Sequence, residues 1–195
     1  METPVCNSFA LVTYVPAPLG SVLDNLRQSL PGNHFGRAHI TLLPPRALRV
    51  PCQMASQRAR QILSDFTGFE IELNEIRLFS ETDVLYINLR DGDRSVHQLH
   101  DALNTGDLAD MEQFEFRPHI TLGGPIPPSA LQRFRGEVEN VWSSLKWQKR
   151  FTLKRIVALG ASSMEQGAEW RQLWHHDLGR DELAGSQSKG ARAGD

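Results

Sequence analysis

The sequence predicts an α+β fold of two pseudo-symmetric lobes, and three observations carry that prediction. A nine-residue pattern, Arg-x-His-Ile-Thr-Leu-x-x-Pro, stands at 37–45 and again at 117–125. Around each copy the hydrophobic periodicity reads strand, helix, strand, helix, strand, with the repeated segment as the middle strand. The chain has 195 residues, 40% of them hydrophobic and 23% charged, enough to bury a core in one compact domain or two closely packed lobes. The expected architecture is a single bilobal domain over residues 1–179. Small, mainly antiparallel sheets would face a central cleft, with helices outside and the two lobes intertwined.

Taken in order, Phe9–Val15 is a β-branched, apolar run ended by Pro16 and Pro18, a first strand. Val22, Leu23, Leu26 and Leu30 fall at helical spacing, with Ser21 as N-cap and Pro31-Gly32 as the stop. The first repeat strand covers 37–43. Met54, Ala55, Ala59, Ile62 and Leu63 predict a second helix that stops near Gly68. Phe69, Ile71 and Leu73 alternate with acidic residues, a half-buried strand running to about Phe79. A turn at 80–83 leads into a strand over 84–89. The order then begins again. A helix runs from Asp93 to about Leu103, and the second repeat strand covers 116–122. Pro127-Pro128-Ser129 opens a helix carrying Leu131, Phe134, Val138, Val141 and Leu145. Strands are expected over 151–159 and 170–178, paired with each other. Residues 180–195 show no apolar periodicity and read as a disordered tail.

Side chains alternate along a strand, so His39 and Thr41 share one face while Ile40 and Leu42 point to the core. The same alternation applies to His119 and Thr121. Two imidazoles in one cleft suit in-line attack at phosphorus, one accepting a proton from the nucleophile and the other donating one to the leaving oxygen. An unperturbed imidazole titrates near about 6.5, so both forms are accessible near neutrality. The threonine hydroxyls can donate hydrogen bonds to the non-bridging oxygens. Such a site requires no metal, and two histidines with hydroxyls are a poor ligand set for Mg²⁺ or Zn²⁺. The competing reading, two satisfied core histidines, suits a lone strand histidine better than a matched pair.

The remaining candidates are weaker. Arg37 and Arg117 stand two residues before each histidine and share its face if the strand extends that far; an Arg at a strand start in solvent is the alternative. Tyr14 and Phe35 are candidates to stack on a base, against core or rim packing. His34 is a loop residue just before the first repeat strand. His97 and His100 lie at i, i+3 on a helix, but no third metal ligand is evident. His175 and His176 point to opposite faces of an edge strand. The four tryptophans read as lobe packing.

Composition excludes several classes. A net charge of −2 argues against non-specific duplex binding. Cys6 and Cys52 lack metal-ligand spacing and are expected as free thiols. The Met1–Pro4 start carries no signal-peptide pattern, and no apolar run approaches the ~18 residues of a membrane span. A soluble, cytoplasmic, monomeric protein without cofactor is the expectation.

The paired His-x-Thr strands, 80 residues apart (119 minus 39), resemble those of the two-histidine phosphoesterase superfamily. Within it, the chain is similar to the bacterial 2′-5′ RNA ligase / RNA 2′,3′-cyclic phosphodiesterase family. The likeness includes Phe79, the strand over 84–89, Leu99-His100 and the Phe-x-Pro-His-Ile-Thr-Leu run ending at Leu122. It implies a catalytic set of His39, Thr41, His119 and Thr121, acting on 2′,3′-cyclic phosphates or 2′-5′ linkages of RNA ends or small cyclic nucleotides. One departure stands out: relatives often carry a basic residue after the second Thr-Leu, where this chain has Gly123-Gly124. The alternatives are a relative acting on another cyclic phosphate, such as an ADP-ribose derivative, or an RNA- or nucleotide-binding module with little turnover.

Overall fold

The computed structural model describes residues 6–32, 36–145, 149–165 and 167–179. Along the chain come β1 (Ser8–Tyr14), α1 (Leu19–Gln28), β2 (His39–Ala47), α2 (Cys52–Leu63), β3 (Phe69–Phe79) and β4 (Val84–Asp91). There follow α3 (Asp93–Leu103), a 3-10 turn (Gly106–Leu108), β5 (His119–Gly123), α4 (Pro128–Ser144), β6 (Arg150–Leu153), β7 (Arg155–Ala161) and β8 (Arg171–Asp177).

These strands form an eight-stranded sheet in the order β6-β3-β4-β5-β2-β1-β7-β8. Each neighbouring pair is antiparallel. The repeat strands β2 and β5 are the central neighbours, and they meet at the pair Ile40–Ile120. The expected lobes are therefore two four-stranded halves of one sheet, β6-β3-β4-β5 and β2-β1-β7-β8. The half β2-β1-β7-β8 takes strands from both ends of the chain, and β6-β3-β4-β5 comes from the middle. β3, which follows α2, pairs with β4, while β7 pairs with β1.

Burial rather than capping holds the helices. None of α1–α4 has a side-chain hydrogen bond at its N-cap, and such a cap contributes only about 1 kcal/mol. Fully burying one leucine contributes roughly 1.5–3 kcal/mol. Leu23 of α1, Leu63 of α2 and Leu99 of α3 are each 0% exposed within the same core as Ile40 and Ile120. No helix among the described residues is long and apolar enough to cross a membrane.

Several boundaries differ from the sequence reading for local reasons. α1 starts at Leu19, because the Gly20 amide already donates to the Pro16 carbonyl at 2.8 Å; Ser21 lies inside the helix. β2 runs on through Pro44 and Pro45, which have no N–H to donate. Its register with β1 shifts between Phe9 and Leu11, a bulge that tolerates them. β5 begins after Pro118, not at residue 116. The run 151–159 breaks at Lys154, so that β6 pairs with β3 and β7 with β1, in opposite halves of the sheet. On α4 the buried residues are Val138 and Trp142, while Val141 is exposed. The Trp142 indole N–H donates to the Asn74 carbonyl at 2.7 Å. Cys6 and Cys52 are free thiols. Burial, with Cys52 beside it, pushes the Cys6 thiol up to about 12. The expected tail, His34, Phe35 and Trp147 lie outside the described residues.

Candidate active site

Both repeat strands bury alternate residues. Ile40, Leu42, Ile120 and Leu122 are fully buried, while His39, Thr41, His119 and Thr121 are half-buried on the other face. Antiparallel register through Ile40–Ile120 puts His39 across from Thr121 and Thr41 across from His119. Directly opposed side chains start roughly 5 Å apart and diagonal ones roughly 7–8 Å apart. The two imidazoles sit on one diagonal of this square and the two hydroxyls on the other. A single phosphate fits between groups so spaced.

The same backbone device orients both rings. His39 Nδ1–H donates to the Arg37 carbonyl at 2.7 Å, and His119 Nδ1–H donates to the Arg117 carbonyl at 2.7 Å. A neutral ring held this way keeps its lone pair on Nε2, which has no hydrogen-bond partner among the described residues. The arginine side chains were the candidates; their carbonyls are what the histidines use. Asp24 of α1 accepts the Ala38 amide at 2.5 Å, and Arg27 Nη1 donates to the Gly36 carbonyl at 2.9 Å. These two bonds fix the chain as it enters His39.

Both imidazoles titrate below their ordinary value of 6.5, chiefly because burial penalises the charged ring. The carbonyls of Arg37 and Arg117 oppose the shift. Around His39, Arg27 adds to it and Asp24 opposes it; around His119, His39 adds to it. The neighbourhoods differ too. Phe79 stacks on Tyr86 at 3.8 Å, and both rings present to His119 edgewise, at 4.8 and 5.5 Å. His39 has Tyr14, its cross-strand partner, at 6.1 Å, with the Arg37 guanidinium over the tyrosine ring at 4.8 Å.

A stability prediction follows from the sign of these shifts. The unfolded chain takes up protons on these histidines from about pH 6.5 downward, where the folded chain still resists. Folded stability is therefore lost as pH falls below 6.5 and is retained above it. The Tm of the His39→Ala/His119→Ala double variant should fall less between pH 7 and pH 5 than that of the parent. Thermal melts at the two pH values check this, and equal slopes would contradict it.

The four residues line a cleft of about 650 Å³. One wall is the segment from Asp110 to Arg117; Phe79, Glu81, Thr82 and Val84, and Pro44, Pro45 and Arg46, also line the cleft. Arg46, 3% exposed, holds the first wall. Its Nε donates to the Pro44 carbonyl at 3.0 Å, Nη1 to Asn104 Oδ1 at 2.7 Å and to the Leu108 carbonyl at 2.6 Å, and Nη2 to Glu112 Oε1 at 2.9 Å. Glu112 also stands 3.7 Å from His100 Nε2. His100 Nδ1–H donates to the Leu42 carbonyl at 3.0 Å, and its ring stacks on Phe116 at 3.7 Å. Sequence reading missed Arg46 and Glu112, because nothing in their spacing announces a pair 66 residues apart.

Packing explains the glycines after the second motif. A Cβ at Gly123 would meet Leu30 Cβ at 2.6 Å, and Gly124 has φ +143°, which disfavours any side chain. Leu30 and Pro31, just after α1, occupy the room that a side chain at 123 would need.

Of the other candidates, Arg117 lines the cleft and pairs with Glu115 at 3.1 Å. Arg37 is exposed beside Tyr14, outside β2. His97 Nδ1 lies 2.9 Å from the Asp93 carbonyl and Nε2 lies 3.2 Å from that of Phe116. Among the described residues no three His, Cys, Asp or Glu side chains converge as a metal site. His175 and His176 are on the edge strand β8.

Comparison with known proteins agrees with this architecture. A provisionally named phosphoesterase of Geobacillus sp. (strain WCH70) is 26% identical over 120 residues, which are 57% of this chain and 65% of that protein. A similarly named protein of Geobacillus kaustophilus is 27% identical over the same shares. The fold superposes on E. coli LigT crystallised with 3'-AMP, with a TM-score of 0.59, 16% identity, and 89% of this chain and 98% of that one covered. A Thermus thermophilus structure gives a TM-score of 0.63 at 13% identity, over 89% and 99%. Residues 15–159 match the 2'-5' RNA ligase superfamily, and the chain belongs to that superfamily of two-histidine phosphoesterases.

Proposed function

We propose that the chain is a metal-independent phosphodiesterase that opens 2′,3′-cyclic phosphates at RNA ends or on nucleotides, with His39, Thr41, His119 and Thr121 as its catalytic set. The observation that carries this reading is the matched pair of imidazoles, each with Nδ1 tied to the carbonyl two residues back. That tether leaves two Nε2 atoms to transfer protons on opposite sides of one phosphate. In the reaction, one imidazole takes a proton from water as its oxygen attacks phosphorus. The other protonates the ribose oxygen as the P–O bond breaks, giving a phosphomonoester and a free hydroxyl. Thr41 and Thr121 donate hydrogen bonds to the non-bridging oxygens, where charge builds in the transition state. The same groups would serve 2′-5′ ligation in the same sense, with a nucleotide 5′-hydroxyl in place of water attacking the cyclic phosphate and the 3′-oxygen leaving with the donated proton. The nucleotide in the E. coli LigT structure supports a nucleotide-shaped substrate here.

Turnover of adenosine 2′,3′-cyclic phosphate and of a short RNA with a cyclic end, in excess EDTA, tests the reading. Activity is expected to survive EDTA and to follow a bell in pH that belongs to the coupled pair. Its optimum should lie on the acid side of 6.5, because both rings titrate low. Activity abolished by EDTA would sink the metal-free mechanism. An inactive parent that still binds nucleotide would favour the binding-module alternative.

A further inference from the structure

Resting on the phosphodiesterase reading, we propose that the cleft selects a mononucleotide-sized cyclic phosphate over the end of an RNA strand. The argument is one of charge. Four carboxylates line the cleft, those of Glu81, Asp110, Glu112 and Glu115, against three guanidiniums, those of Arg27, Arg46 and Arg117. All three guanidiniums are engaged by carboxylates: Arg27 with Asp24 at 3.6 Å, Arg46 with Glu112 at 2.9 Å, and Arg117 with Glu115 at 3.1 Å. Glu81 has no ion pair among the described residues.

An RNA strand brings one negative charge per nucleotide, and grooves that hold single strands track those charges with lysine and arginine. Here Glu81 opposes a second phosphate, and Glu115 already neutralises the Arg117 cation that would hold one. What the walls offer instead is apolar. Met111 is 93% exposed and Phe114 53%, and both line the cleft with Phe116, Pro44 and Pro45. Such a surface accepts the face of one base. The volume of about 650 Å³ suits a ligand of nucleotide size.

Two paired measurements test the inference. The first is the ratio of kcat/KM for a hexanucleotide with a 2′,3′-cyclic end to that for adenosine 2′,3′-cyclic phosphate. The second is the binding of the corresponding 3′-phosphate products at 50 and 200 mM salt, which needs no turnover. The expected kcat/KM ratio is below three, and the hexamer should lose less than twofold more affinity than the mononucleotide across the salt change. Each additional phosphate held by a cation would cost the hexamer about 2.6-fold over that range. A kcat/KM ratio of three or more, or an extra salt loss of twofold or more, overturns the inference. In the Glu81→Lys/Glu115→Lys variant the hexamer-to-mononucleotide ratio should rise at least tenfold, and a smaller rise also overturns it. Failure to turn over either substrate defeats the phosphodiesterase reading, whereas the binding arm judges the charge argument separately.

Discussion

His39→Ala and His119→Ala are each expected to lower kcat for a 2′,3′-cyclic phosphate by about 10²–10⁴, the usual contribution of a general acid or base. Folding should survive. Each ring is half-buried and makes one hydrogen bond, to the carbonyl two residues back. Losing such a bond costs about 0.5–1.5 kcal/mol. The double variant is the sharper test. If both imidazoles move protons in one step, removing the second costs little once the first is gone, because groups acting as a unit are not additive. A double variant slower than the singles by the product of their losses would mean that the rings act independently. Single variants within tenfold of the parent rate, with unchanged melting curves, would remove the pair from the chemistry. Thr41→Val and Thr121→Val should fall between these limits, since each removes a donor and leaves the proton path.

The repeat was legible because its chemistry is local. Alternation along five residues is enough to put His39 with Thr41 and to bury Ile40, and β2 and β5 show that pattern. α3 was legible to the residue, because Val96, Leu99 and Leu103 repeat at helical spacing after a glycine. What lay beyond reach was pairing. No periodicity says that β3 leaves its own half to join β4, or that the run through Lys154 divides between opposite halves of the sheet. The wall of the cleft was hidden for the same reason. Residues 109–118 carry no helical or alternating pattern, and their place depends on a guanidinium from β2. Arg37 and Arg117 show a subtler limit. Their spacing from the histidines was visible, but the group that matters there is the main-chain oxygen, which every residue type carries.

Arg46 is where the second large effect is expected. Arg46→Ala should lower stability by about 3–5 kcal/mol, the cost of removing one partner of a buried ion pair. For a chain of this size that is a fall in Tm of roughly 6–20 °C. The guanidinium is 3% exposed and donates to four oxygens. Its loss leaves the Glu112 carboxylate, 17% exposed, with His100 beside it, strands the Leu108 carbonyl and takes one of two donors from Asn104 Oδ1, which keeps the Asp110 amide. Arg46→Lys should recover little, because one ammonium cannot span donors that the planar guanidinium reaches together. The Arg46→Ala/Glu112→Leu pair should recover more, since it removes the orphaned charge along with its partner. Calorimetry of the four proteins checks this order. If Arg46→Ala melts within 2 °C of the parent, the wall is held by its own packing and the guanidinium is incidental. If instead the double variant melts above Arg46→Ala yet KM for the cyclic nucleotide stays high, the ion pair sets the shape of the cleft as well as its stability. In that case β2 does two jobs with one strand on the proposed reading: His39 and Thr41 on its half-buried face would meet the phosphate, and Arg46, further along, would fix the wall on which the rest of the substrate rests.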